Sequence, residues 1–159
     1  MSEWIEAGQP LPAFALQSDD AGSITSEGLL GRWVVLYFYP KDETPGCTKE
    51  ACAFRDIQAQ LAERGAVVLG VSPDSVAAHQ RFRARHALSF SLLSDPAHAL
   101  AEACGAWREK TLYGRKSIGI VRSTFLVDPT GTVARVWKKV AVEGHAAEVL
   151  AALDVAQAG

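Results

Sequence analysis

Cys47 and Cys52 carry the chemistry this sequence offers. They stand in Pro40-Lys41-Asp42-Glu43-Thr44-Pro45-Gly46-Cys47-Thr48-Lys49-Glu50-Ala51-Cys52, directly after the apolar, β-prone run from Trp33 to Tyr39. Cys47 to Arg64 reads as a helix, so Cys47 falls in its first turn, at the carboxyl end of a strand. A helix N-terminus presents unpaired N–H groups and the positive end of the helix dipole. Both favour thiolate over thiol, and thiolate is the nucleophilic form. The other ordinary fate of a free cysteine is burial as a small hydrophobe. Thr44, Pro45, Gly46, Thr48 and Lys49 make a turn rather than an apolar run, which argues against that fate.

The residues around Cys47 suit a nucleophile. Pro40 and Pro45 fix backbone φ and remove two N–H groups, giving a stiff loop that limits water at the sulfur. Gly46 permits close backbone approach. The Thr44 hydroxyl can accept from a substrate and donate to the thiolate or to a substrate oxygen, or it can cap the helix, and these roles are compatible. A cation should stabilise the thiolate. Arg122 is the candidate, because it lies in the apolar run Ile120-Val121-Arg122-Ser123-Thr124-Phe125. A charge there needs a partner or an opening to solvent. The alternative is a strand-end residue that points outward.

The spacing of the cysteines restricts what they do together. A zinc site would need a second ligand pair, and Cys104 with four scattered His supplies none. The redox pattern C-x-x-C is absent. On an intact helix five residues rise about 7.5 Å and turn about 140°, which separates the Cα atoms by roughly 8–9 Å. A disulfide tolerates at most about 7 Å. Cys47 and Cys52 can therefore bond only after the first helical turn melts, and helix ends open at low free-energy cost. A small core residue is the alternative for Cys52.

The rest of the chain must position these groups. The 159 residues, 48% apolar and 21% charged, are read as one domain, residues 1–159, that needs no disulfide or metal to fold. Net charge is -2, without the basic run or aromatic-basic stripe that nucleic acid would call for. Met1-Ser2-Glu3-Trp4-Ile5-Glu6 has neither the basic nor the apolar region of a secretory leader. No apolar stretch approaches the roughly 20 residues of a membrane span. These features and the odd cysteine count favour a cytoplasmic protein over a secreted disulfide framework.

Residues 10–31 read as a short hairpin and a connecting loop, and Trp33–Tyr39 and Ala66–Val71 as buried strands. Ser72-Pro73-Asp74-Ser75 caps a helix running to about His86, Phe90–Leu93 forms a strand, and Asp95-Pro96 opens a helix ending near Cys104-Gly105. Ile118–Val127 and Val133–Val140 read as two strands joined by Asp128-Pro129-Thr130-Gly131, and Gly144–Leu153 as a closing helix. Strand-helix-strand units ending in an antiparallel pair predict an α/β fold, with helices flanking a mixed central sheet and an N-terminal β-hairpin.

The chain resembles the peroxiredoxins, in particular the bacterioferritin-comigratory, or Q-type, subfamily. The residues that carry the resemblance are Tyr37-Phe38-Tyr39-Pro40-Lys41-Asp42, Thr44-Pro45-Gly46-Cys47-Thr48, Ala51-Cys52, Leu92-Leu93-Ser94-Asp95, Gly105-Ala106-Trp107 and Arg122-Ser123-Thr124-Phe125. It implies a thioredoxin-like fold and a cofactor-free thiol peroxidase acting on hydrogen peroxide and organic hydroperoxides. Cys47 would be the peroxidatic cysteine, with Pro40, Thr44 and Arg122 completing the peroxide site. Cys52 would be the resolving cysteine of the atypical, intramolecular kind, since the helix from Ser75 to His86 has no cysteine. Cys104 falls outside the family's catalytic positions and reads as helix core. Thioredoxin would be the reductant, with glutaredoxin the alternative. A monomer is expected, because an intramolecular disulfide needs no partner subunit, and a homodimer is the alternative. On the residues alone, a redox sensor that does not turn over and a binding module with inert cysteines stay open.

Overall fold

Strand β3 (Trp33–Phe38) leads into helix α1 (Pro45–Glu63), and every other element is arranged around that junction. The computed structural model describes residues 3–159. Met1 and Ser2, part of the stretch weighed above as a leader, lie outside the described residues, and so does the Leu112 side chain. Before β3 come β1 (Ala15–Ser18), β2 (Ser23–Thr25) and a single 3-10 turn. After α1 come β4 (Ala66–Ser72), α2 (Val76–His86), β5 (Ser91–Ser94) and α3 (Ala99–Cys104). Then follow β6 (Trp107–Leu112), β7 (Arg115–Ile120), β8 (Ser123–Val127), β9 (Val133–Trp137) and α4 (His145–Ala158).

Seven strands form one sheet in the order β2-β1-β5-β4-β3-β8-β9. Its centre, β5-β4-β3, is parallel, and β1, β2, β8 and β9 join antiparallel. This is the expected mixed sheet, with the N-terminal hairpin at one edge. The continuous apolar run of β3 follows from burial on both faces, since side chains alternate across a strand. Val35 and Tyr37 join Tyr39, Cys47 and Phe54, together with Phe82 of α2 and Val149 and Leu153 of α4. Val34, Leu36 and Phe38 pack on the other face with Leu100 and Ala101 of α3. Gly70 of β4 lies opposite Tyr37, and a Cβ there would come within 2.9 Å of the Tyr37 ring.

Three expectations need correction. Ile118–Val127 is not one strand: β7 ends at Ile120 and β8 begins at Ser123. The Val121 N–H bonds Ala106 O and the Arg122 carbonyl accepts from Val140, so these two residues leave both ladders. Strand β7 instead pairs with β6 in a separate hairpin. That hairpin has no apolar alternation to announce it, and its turn is Tyr113-Gly114, both at positive φ, rather than Asn-Gly or Asp-Gly. Helix α3 starts at Ala99, not at Pro96. Asp95 still caps it, accepting from the backbone of Leu100 and Ala101 across a turn. The strand expected over Val133–Val140 ends at Trp137.

Candidate active site

Pro45 occupies the first position of α1, where its fixed φ and missing N–H do no harm. Cys47 is the third residue of the helix. The first intrahelical bond is made by Thr48 N to Thr44 O, 2.9 Å, so the Gly46 and Cys47 N–H groups precede the hydrogen-bonded ladder. The Cys47 sulfur is a free thiol and is buried at 1% exposure, deeper than a turn setting implies. What separates it from a structural cysteine is its neighbour: Arg122 Nη2 donates to Sγ at 3.2 Å.

Arg122 reaches the sulfur because it sits at the break between β7 and β8, not inside a strand. It turns inward, with its side chain 18% exposed. Its other arm, Nη1, donates to Glu50 Oε1 at 2.6 Å. Burial pulls against the guanidinium charge, but Glu50 and Cys47 beside it raise its pKa above the ordinary value. One buried cation thus joins a sulfur and a carboxylate, both on α1.

Glu50 is the residue of this site that reading the sequence missed. It is buried in α1 along with Cys47, Ala51, Phe54 and Leu61. An acidic residue on the apolar stripe of a helix is the signal that could have found it. Burial pushes its carboxyl up to about 7, although Arg122 pulls the other way. Its Oε2 has no hydrogen-bond partner among the described residues.

Thr44 precedes α1 in extended conformation and makes no side-chain cap. Its hydroxyl donates instead to Lys41 O at 2.7 Å. The proton expected for the sulfur is therefore spent, and the oxygen is left as an acceptor. Pro40 is half-buried and follows β3 directly, after Tyr39 N has bonded Val71 O. Cys52 is a free, half-buried thiol on the same unbroken helix as Cys47. Cys104 ends α3 in the opposite core, where burial pushes its thiol up to about 12.

The arrangement presents a buried sulfur at a helix N-terminus, one guanidinium, one acceptor hydroxyl and a second thiol five residues along. Comparison with known proteins gives the family. The AhpC/TSA family profile matches residues 7–136. A peroxiredoxin Bcp of Bacillus subtilis is 48% identical over 149 residues, covering 94% of this chain and 95% of that protein. A putative peroxiredoxin Bcp of Coxiella burnetii is 50% identical over 149 residues, covering 94% and 99%. The chain belongs to the AhpC/TSA family, as a peroxiredoxin of the bacterioferritin-comigratory, or Q, type.

Solved structures of that type superpose closely on this peroxiredoxin. The bacterioferritin comigratory protein of Xanthomonas campestris gives a TM-score of 0.89 at 42% identity, covering 95% of this chain and 99% of that one. A peroxiredoxin Q variant from Xylella fastidiosa gives 0.91 at 38% identity, covering 99% of each. The fold is thus the thioredoxin-like one, and the protein is a thiol peroxidase. No helix among the described residues is long and apolar enough to cross a membrane.

Proposed function

We propose that Cys47 is the peroxidatic nucleophile of this peroxiredoxin and Cys52 its resolving partner. The observation that carries the first assignment is the 3.2 Å bond from Arg122 to the Cys47 sulfur at the start of α1. The Cys47 thiolate attacks the terminal oxygen of a hydroperoxide and the O–O bond breaks. Cys47 keeps that oxygen as sulfenic acid, and the other leaves as hydroxide or alkoxide and takes a proton from solvent. Thr44, with its own proton on Lys41 O, accepts from the peroxide O–H. Arg122 and the backbone N–H groups at the start of α1 meet the negative charge that grows on the leaving oxygen. Pro40 presents no N–H and keeps water from the sulfur.

The sulfenic acid then condenses with the Cys52 thiol, releasing water. Both cysteines lie on α1, so this step requires its first turns to melt. A dithiol of the thioredoxin type, with glutaredoxin the alternative, reduces the disulfide by exchange and becomes a disulfide itself. The balance is one hydroperoxide and one dithiol consumed, one alcohol and one water formed. The X. campestris relative is described for alkyl peroxide reduction, and organic hydroperoxides together with hydrogen peroxide are the substrates proposed here. We take the 159 residues as one domain, working as a monomer in a reducing cytosol.

A non-reducing peptide mass map after one equivalent of hydrogen peroxide tests the reading. The expected product is a Cys47–Cys52 link. Cys47 oxidised alone would remove Cys52 as resolver, and an untouched Cys47 would overturn the nucleophile. Sustained peroxide consumption with thioredoxin, its reductase and NADPH is the expected companion result, and a single turnover would point to a sensor.

A further inference from the structure

Asp42 stands midway between Pro40 and Thr44, in the loop that carries β3 into α1. Its carboxylate is buried and doubly engaged. Oδ1 accepts from the Tyr39 hydroxyl at 2.6 Å, and Oδ2 lies 2.6 Å from His79 Nδ1. His79 belongs to α2 and is fully buried at 0% exposure. Its second nitrogen, Nε2, lies 3.0 Å from the Leu93 carbonyl of β5, which can only accept. Nε2 therefore carries a proton. Nδ1 meets the Asp42 carboxyl at 2.6 Å, so one proton lies between them, and with that proton on Nδ1 the pair is an imidazolium beside a carboxylate. Burial pulls its pKa down, but the bonds to Asp42 and Leu93 O raise it above the ordinary value. Asp42, Asp74 and His79 offer ligand atoms within 4.8 Å of one another. Both His79 nitrogens are engaged, Nδ1 with Asp42 and Nε2 with Leu93 O, so we read the cluster as a clamp rather than a cation site.

The same loop is held at three further points. Asp42 N donates to Asp74 Oδ2 at 2.8 Å, just before α2 begins. Glu43, at a φ of 65°, reaches His86 and Arg85 of α2. Thr44 donates to Lys41 O, which places its hydroxyl by way of residue 41. The Glu43 pair with Arg85 is solvent-exposed and adds little. The Asp42–His79 pair is different, because removing one partner strands the other charge in the core. None of these bonds involves residues 45–52, the stretch that melts when Cys47 meets Cys52.

Resting on the assignment of Cys47 as nucleophile, we propose that His79 is a positioning residue for the peroxide step: through its buried ion pair with Asp42 it fixes Pro40 and Thr44 against Cys47. The clamp stays closed while the first turns of α1 open. It thus governs the oxidation of Cys47 and not the condensation that follows.

Single-turnover kinetics on the full chain separate the two steps. Sulfenic acid formation with hydrogen peroxide and its disappearance into the disulfide are followed by rapid quench and mass spectrometry. His79→Gln, in protein shown by circular dichroism to be folded, is expected to slow oxidation about tenfold or more and to leave condensation within about twofold. A merely structural role would disturb both steps, because condensation also depends on α1. Asp42→Asn supplies the same comparison, and it stands in should His79→Gln not fold. The double variant, which removes both charges, is expected to be no slower than the slower single variant, since a paired interaction is lost only once. Oxidation at the unsubstituted rate in either single variant, equal slowing of both steps, or additive effects in the double variant would each overturn the proposal. Failure of the unsubstituted protein to oxidise at Cys47 would strike the nucleophile assignment instead.

Discussion

Gly46 and Arg122 are fitted to each other: a Cβ on Gly46 would lie 3.2 Å from Arg122 Nη2, the nitrogen that donates to Cys47. The missing side chain is what lets the guanidinium cross over the first turn of α1. Gly46→Ala therefore opposes two effects. Alanine in a helix is favoured over glycine by about 1 kcal/mol, so the fold should hold or gain. The guanidinium must yield by a few tenths of an ångström, and a 1 Å misplacement of a catalytic group costs about 10²-fold. A variant at least as stable as the parent but about threefold to tenfold slower in Cys47 oxidation is expected. Denaturant melts beside stopped-flow rates check this, and an unslowed variant would show that the Arg122–Cys47 distance is not critical.

Arg122→Met removes the donor to the sulfur and strands Glu50. The loss of one donor aimed at developing charge costs about 10²–10³-fold, and that fall is expected in the rate of sulfenic acid formation. The thiol–disulfide exchange with the reductant should change far less, because the disulfide forms only once the first turns of α1 have melted, and the Cys47 sulfur is then away from Arg122. Equal losses in both half-reactions would assign Arg122 to the fold rather than to the peroxide step.

Glu50 makes stability depend on pH in a definite direction. Its folded value of about 7 stands above the ordinary 4.5, so the folded chain holds this proton more tightly. Its contribution is complete below pH 4.5 and is lost as pH rises through 7, a range set by those two values. The loss is at most about 3 kcal/mol. Glu50→Gln abolishes the titration. The stability advantage of the parent over this variant should therefore shrink between pH 5 and pH 8, as read from urea midpoints. Parallel stability curves would mean that Glu50 is ionised throughout and fully compensated by Arg122.

The sequence made legible what local chemistry dictates. Pro40, Thr44, Gly46 and Cys47 lie within one loop, and their spacing alone marks a strand-to-helix junction with a thiol in its first turn. Arg122 was visible as a charge in an apolar run, although that run is two strands and the charge sits at the break. Glu50 and His79 were not legible, because their meaning lies in partners 72 and 37 residues away. Each is a polar residue on the buried stripe of a helix, and periodicity alone cannot name what satisfies it. The β6–β7 hairpin escaped for another reason. It is mostly solvent-exposed, so its residues carry no burial pattern to read.

Cys52 and Cys104 separate cleanly in a last prediction. Cys52 is half-buried and on the same helix as Cys47, whereas Cys104 lies in the core on the other side of the sheet. Burial holds the Cys104 thiol at about 12, so it stays protonated and unreactive at neutral pH. Cys52→Ser should keep the first oxidation of Cys47 at the parent rate and lose turnover with thioredoxin. Without a resolving thiol the sulfenic acid persists, and repeated peroxide exposure should drive Cys47 on to sulfinic acid. Cys104→Ala should keep turnover and lose only stability, by about 1 kcal/mol for the contacts of the missing sulfur. Intact-mass spectra after graded peroxide, beside coupled turnover assays, distinguish the pair. Full turnover in Cys52→Ser would move the resolving role off α1 altogether, and loss of turnover in a folded Cys104→Ala would place it in α3.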